Sequence, residues 1–167
     1  IYFINFPILL HNKNSLINNS FNFLNKYKKF ADIHWDYLEY GKLWAYNLNY
    51  FDYLNQKDID IDLGTRLIDE YIDNCEKYYI GRNSYVISLR ITNWVLFISR
   101  YKINNQKINK KIKNDYLFLK NNLEYHLLGN HLLENAFTLL ICSIFFRDRE
   151  IYLLSKDLLI NELNEQI

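Results

Sequence analysis

A chain of 167 residues, half of them hydrophobic, is long enough to bury one core, and its length gives no reason to expect two domains. Four Gly and a single Pro are too few for the many tight turns of a sandwich or barrel of short strands, which leaves an all-α class built from long helices. Twenty basic residues against 19 acidic ones give a net charge of +1, so no global field draws in nucleic acid or a highly sulfated polymer, and an anionic ligand must be met by a local patch.

Along the chain, Ile1 to Leu10 is apolar but has no basic lead and is too short to span a bilayer. The absence of Met and the start at Ile1 predict that the N-terminus has been removed or never recorded. Asn12, Asn14, Ser15, Asn18 and Asn19 are turn-prone, and a helix is predicted after them, near Phe21 to Phe30. The next predicted helix, Leu43 to Leu54, is dense in aromatics. Leu63 to Cys75 places Leu63, Leu67, Ile68, Tyr71, Ile72 and Cys75 on one helical stripe. Ser84 is predicted to cap a helix reaching about Tyr101, with Ile87, Ile91, Trp94, Val95 and Ile98 on its apolar face and Arg90, Asn93 and Phe97 on another.

Lys102 to Lys113 is Lys-rich and interleaved with Asn and Gln, a pattern of a solvated connection or of a local anion patch. A helix over Ile108 to Leu127 carries Ile112, Tyr116, Leu119, Leu123 and His126 in register, and Gly129 supplies a left-handed stop. From Asn130 to Phe146 apolar residues nearly encircle the helix, which makes it central and buried. Two weaker helices, Asp148 to Ser155 and Lys156 to Gln166, follow. Short polar links between successive helices imply stacked antiparallel hairpins, in a bundle, a solenoid or a toroid.

Three segments hold polar residues that an amphipathic helix does not require. In the third, Asn130 and His131 stand at the start of the most apolar helix, where free backbone N–H groups and the helix dipole favour a carboxylate; a plain helix cap and a core histidine are the alternatives. Glu134 and Asn135 follow one turn later and can orient them, although Glu134 can equally pair with a basic neighbour. Arg90 sits with Asn93 among apolar residues, and its guanidinium needs a carboxylate from the protein or from a ligand. Trp44, Tyr46, Tyr50 and Tyr53, with Asn47 among them, form either a stacking wall for sugar rings or part of the core. His126 and His131 are five apart with no H-E-x-x-H pattern, and Cys75 and Cys142 form no cluster, so neither a metal nor another cofactor is called for.

These segments, GKLWAYNLNYFDYL (Gly41 to Leu54), SLRITNW (Ser88 to Trp94) and LEYHLLGNHLLENA (Leu123 to Ala136), with EQI at Glu165 to Ile167, resemble in order the N-terminal helical region of heparinase II/III family proteins. The resemblance covers residues 35–167 and not residues 1–34, which form a separate N-terminal segment. It implies part of an incomplete α/α toroid, to be followed by a β-sandwich region, and β-elimination on a uronic acid. In this reading Asn130 neutralises the substrate carboxylate, and His131 shares that role or transfers a proton. Arg90, Asn93, Trp94, Trp44, Asn47 and Tyr50 bind substrate, and Glu134 and Asn135 support the pair. The catalytic Tyr is expected in a Gly-rich segment beyond Ile167, so this stretch alone is expected to be inactive. Val86 stands where many relatives have Pro. The implied partner is an acidic polysaccharide, with neither nucleic acid nor membrane involved, and the implied location is periplasmic or extracellular. The competing readings are a uronate C5 epimerase and a non-catalytic glycan-binding or structural helical module.

Overall fold

The computed structural model describes residues 1–5, 15–125, 127 and 130–166. It is mostly helical with one small antiparallel sheet. The sheet comes first, as β1 (Leu16–Ile17), β2 (Ser20–Phe23) and β3 (Lys26–Lys29), in the order β1-β2-β3. The helices are α1 (Lys42–Tyr50), α2 (Ile61–Asn74), α3 (Ser84–Arg100), α4 (Gln106–Lys120), α5 (Asn130–Phe146) and α6 (Arg149–Gln166).

The sheet corrects the helix expected near Phe21 to Phe30. Ile17 faces Ser20 and Phe23 faces Lys26, so Asn18-Asn19 and Leu24-Asn25 are two-residue hairpin turns. All four of those residues have positive φ, between 49 and 60°, the conformation whose twist matches paired strands. Between the turns Phe21 and Phe23 point inward with Asn22 between them, a period of two and not of 3.6. Phe23 meets Trp44 at 5.1 Å and Phe21 meets Tyr53 at 5.2 Å, both edge to face. The Gln56 amide seals the sheet edge, accepting from the Ser15 and Leu16 N–H groups and donating to the Leu16 carbonyl.

The predicted helix over Leu43 to Leu54 divides in two. α1 stops at Tyr50, where Phe51 takes a left-handed conformation, and a 3-10 turn continues over Asp52–Asn55. Asp60, Asn83 and Asn105 cap α2, α3 and α4, each accepting from N–H groups of the first turn. The cap of α3 is therefore Asn83 and not Ser84, whose hydroxyl instead donates to the Asn122 carbonyl. α4 ends at Lys120, short of the expected Leu127, because the Glu124 N–H is taken by the Asn135 side chain instead of by its own helix. Asn12, Asn14, His126, Gly129 and Ile167 lie outside the described residues. The two weak C-terminal helices are one continuous α6, started by Asp148, which accepts from the Ile151 N–H.

The core is aromatic at one end, where Trp35 stacks on Phe51 and both meet Tyr71 edge-on, with Trp94 closing the cluster. α5 packs on α3 and α6, α4 on α2, α3 and α5, and α1 on α3, so from α3 onward successive helices are neighbours. At the crossing of α2 and α3, Gly64 leaves room for the ring of Phe97 and nothing more. A Cβ there stands 2.6 Å from Phe97 Cζ and 3.2 Å from Leu54 Cδ2, and Phe97 is fully buried. Helix propensity favours Ala over Gly by about 1 kcal/mol, whereas forcing a methyl into a filled core costs about 1–3 kcal/mol. Gly64→Ala is therefore expected to lower the unfolding free energy in urea; a rise would show that the α2–α3 contact yields.

Candidate functional site

Asn130 is the first helical residue of α5 and is exposed, so it stands inside the first turn and not at a cap position. The backbone N–H groups of such a turn have no carbonyl one turn back and point outward with the positive end of the helix dipole. His131 is half-exposed, and its Nδ1 lies 3.3 Å from Oε2 of Glu124, a carboxylate that is itself 7% exposed. The Tyr85 ring of α3 lies against the imidazole, centroid to centroid 4.4 Å. The histidine is thus held from two sides by groups of two other segments.

Glu124 is positioned in turn by Asn135. The Asn135 Oδ1 accepts from the Glu124 N–H at 3.0 Å, while Nδ2 donates to Ser88 Oγ at 2.9 Å and, more weakly, to Glu124 Oε2 at 3.4 Å. Below it Thr138 donates to the Ser88 carbonyl and shares a hydrogen bond with Thr92. A buried amide without partners is costly, and here both ends of Asn135 are used, which fixes α5, α3 and residues 121–125 relative to one another. Residues far apart in the chain, Ser88, Glu124, His131 and Asn135, so form one bonded group.

From His131 a line of rings runs across the surface to α1. Tyr85 meets Tyr50 at 6.1 Å and Tyr50 stacks on Tyr46 at 6.3 Å, and all three tyrosines are partly exposed. Burial pushes the Tyr50 hydroxyl up to about 12, and it raises Tyr85 as well, helped by the nearby carboxylates of Glu134 and Glu124. Both are therefore phenols at neutral pH, able to donate.

The other sequence candidates divide by burial. Asn93 donates to the Tyr50 carbonyl at 2.9 Å and accepts from Asn55, so it braces the end of α1 under the tyrosine line. Asn47 is half-buried next to Tyr46 and donates to the Leu43 carbonyl of its own helix. Trp44 and Trp94 are fully buried; the Trp44 indole donates to the Lys26 carbonyl, and Trp94 lies among Phe51, Tyr71 and Arg90. Neither indole offers a face to a ligand. Arg90 is 1% exposed and has its carboxylate from the protein: Nη2 meets Asp115 at 3.0 Å and Nη1 donates to the Gly81 carbonyl at 2.8 Å. Glu134 is half-buried on α5 and Asn135 is the buried hub.

Sequence reasoning passed over Glu124, Tyr85 and Ser88. Ser88 and Glu124 lie inside the strings singled out above, but Glu124 belongs to the non-helical residues 121–125 ahead of α5, so no periodicity connects it with His131. Among the described residues no group of three or more His, Cys, Asp or Glu is placed to hold a metal ion. Among them also, no helix is long and apolar enough to cross a membrane.

Three measurements follow from these geometries. Asp115→Ala leaves the Arg90 guanidinium buried without its carboxylate, and a loss of about 3–5 kcal/mol in urea unfolding is expected. Breaking the exposed Lys120–Glu150 pair by Glu150→Ala should change stability by less than about 1 kcal/mol. The Glu134 carboxyl is raised by burial, so the folded chain binds its proton more tightly than the unfolded chain does. Its contribution to stability is then greatest in acid and declines as pH rises from the unfolded value of about 4.3 through the raised folded value. Relative to Glu134→Gln, the wild type should lose stability across that window and hold a constant difference above it; a pH-independent difference would exclude the burial penalty. No protein-family model, curated protein or solved structure matches this chain.

Proposed function

We propose that this chain belongs to a uronate-polysaccharide lyase of the heparinase II/III type, acting outside the cytoplasm, and that its stacked helices are part of an α/α toroid. One observation carries this reading: an exposed Asn and a braced, half-exposed His share the first turn of α5, at the end of a line of partly exposed tyrosines. The sequence resemblance supplies the reaction, and the positions of Asn130 and His131 support it.

β-Elimination removes the C5 proton of a uronate, forms the C4–C5 double bond with those electrons and breaks the C4–O4 bond, after which O4 takes a proton. The difficult step is the first, because the adjacent carboxylate already carries a negative charge. The Asn130 amide and the first-turn N–H groups of α5 are the donors that would absorb that charge as it grows. His131 either shares this task or moves the proton. Its Nδ1 faces Glu124, which orients the ring and leaves Nε2 to act. The phenols of Tyr50 and Tyr85 offer faces for pyranose C–H surfaces and hydroxyls for sugar oxygens. By the resemblance, the Tyr that protonates O4 belongs to a Gly-rich segment beyond Ile167.

The tyrosine line favours a second reading on its own, since ring stacking suffices for an acidic-glycan-binding module without chemistry. Incubating the full-length protein with uronate polymers and following the ultraviolet absorbance of a 4,5-unsaturated product separates the two. Absorbance is expected, and Asn130→Ala should lower kcat by about 10²-fold with KM little changed, as for loss of one charge-stabilising donor. Binding without absorbance would leave the module. Deuterium entering C5 from solvent without chain cleavage would replace the lyase with an epimerase.

A further inference from the structure

A second constellation lies on the other flank of α3. Ser88 reaches from α3 to α5, whereas Arg90 reaches to α4, and beside Arg90 an open pocket of about 500 Å³ is lined by residues of α2, α3 and α4. This is the size range of pockets that take small organic ligands, and a position between helices is a common one for them.

The floor of the pocket holds more positive charge than negative. Asp115 accepts from Arg90 through Oδ2 at 3.0 Å and from Lys111 through Oδ1 at 2.5 Å, so one carboxylate faces two cations. The Arg90 Nε is buried and has no hydrogen-bond partner among the described residues. Removing charge from water is costly unless it is compensated, and here the compensation is one negative charge short.

The rim adds to this surplus. Lys107, Lys110 and Lys111 stand at i, i+3 and i+4 on one face of α4. Lys107 is paired with Asp69 and Asp73 of α2, but Lys110 is exposed and has no carboxylate partner among the described residues. Arg82, also of the lining, lies over the Tyr79 ring and donates to the backbone carbonyl of Glu76, which leaves its charge without a carboxylate partner among those residues. Glu76 is the other acidic residue of the lining. Ile72, Ile87 and the half-exposed Phe118 give the pocket apolar wall as well.

We propose that this pocket binds a small organic molecule bearing a phosphate or sulfate ester, with the oxyanion between Lys110 and Arg82 above the Arg90–Asp115–Lys111 floor and the organic part against Phe118 and Ile72. Cations supplied by separate elements, Lys110 by α4 and Arg82 by the turn before α3, match a tetrahedral group, whose oxygens point in several directions, better than a planar carboxylate. The apolar wall distinguishes an ester from the bare ion. This site shares no residue with the Asn130–His131 group, and of the side chains that the lyase reading gives to substrate it uses Arg90 alone, whose carboxylate comes from the protein. It also gives the Lys-rich stretch of α4 a purpose that the solvated-connection reading does not.

The test is a calorimetric titration of the protein at low ionic strength with glucose 6-phosphate, glucose 6-sulfate, inorganic phosphate and glucose. At least one ester should bind saturably and more tightly than inorganic phosphate, and the two esters together show which oxyanion is preferred. Lys110→Glu and Arg82→Glu, both exposed positions that leave the core intact, should each weaken that binding about tenfold or more by reversing a charge near the oxyanion. Asn130→Ala should leave it unchanged, which keeps this result separate from that of the lyase assay. Absence of saturable binding by either ester, equal binding by the charge-reversal variants, or equal binding of uncharged glucose would overturn the proposal. Inorganic phosphate binding as tightly as both esters would overturn the assignment of an organic ligand.

Discussion

A guanidinium buried at the middle of α3 constrains the arrangement of the helices around it. Arg90 has to find an anion and acceptors without leaving the interior, and it finds them in three segments at once: Asp115 on α4, the Gly81 carbonyl before α3, and the ring of Tyr71 on α2, 4.7 Å from the guanidinium carbon. Gly81 permits this approach, because a Cβ there would collide with the Tyr71 hydroxyl and crowd Arg90. A buried ion pair contributes little net stability against its own desolvation, but it tolerates few geometries. With Arg90 turned toward α4, the helical period turns Ser88 toward α5 and Asn93 toward the end of α1, and both surface constellations inherit their positions from that rotation.

Interior amides do the next part of the work. Asn49 donates to the Trp35 carbonyl as well as to its own helix, Gln56 grips the edge of β1, Asn93 holds the Tyr50 carbonyl, and Asn135 holds the Glu124 N–H. In each case a side chain on a helix or turn satisfies backbone groups at a strand edge, at a helix end or in a link. Such bonds add modestly to stability when made and cost more when broken, which suits them to fixing loops against a helical frame. The candidate site depends on the last of these, since Glu124 reaches His131 only because residues 121–125 leave the helix.

The aromatic residues separate into two populations that share one stretch of sequence. Trp35, Trp44, Phe51, Tyr53 and Trp94 are fully buried and pack edge to face, with Trp35 and Phe51 stacked. Tyr46, Tyr50 and Tyr85 sit at the surface with their hydroxyls available. The division follows the helix: in α1, Trp44 and Leu48 form the inward stripe, and Tyr46 and Tyr50 stand to its side, four residues apart. The proposed sugar-binding surface is then the outer face of the same helix whose inner face holds the sheet.

Periodicity alone located α2, α3 and α5 and their buried stripes, because a 3.6-residue repeat of apolar side chains has few other uses in water. It also located Asn130 and His131 at a helix start, since the end of an apolar helix is a local feature. The hairpin turns were hidden for a reason equally local. In a chain rich in Asn the Asn18-Asn19 signal is easily discounted, and Leu24 is not a residue that normally announces a left-handed turn. What remained out of reach were pairings between elements: Glu124 with His131, Tyr85 with the same imidazole, and Asp115 with Arg90. The sequence by itself determined which residues seek burial and where the most apolar helix begins. Tertiary structure decided which carboxylate answers which cation, because that choice depends on how helices cross and where a link leaves its helix, distances that no spacing along one chain encodes.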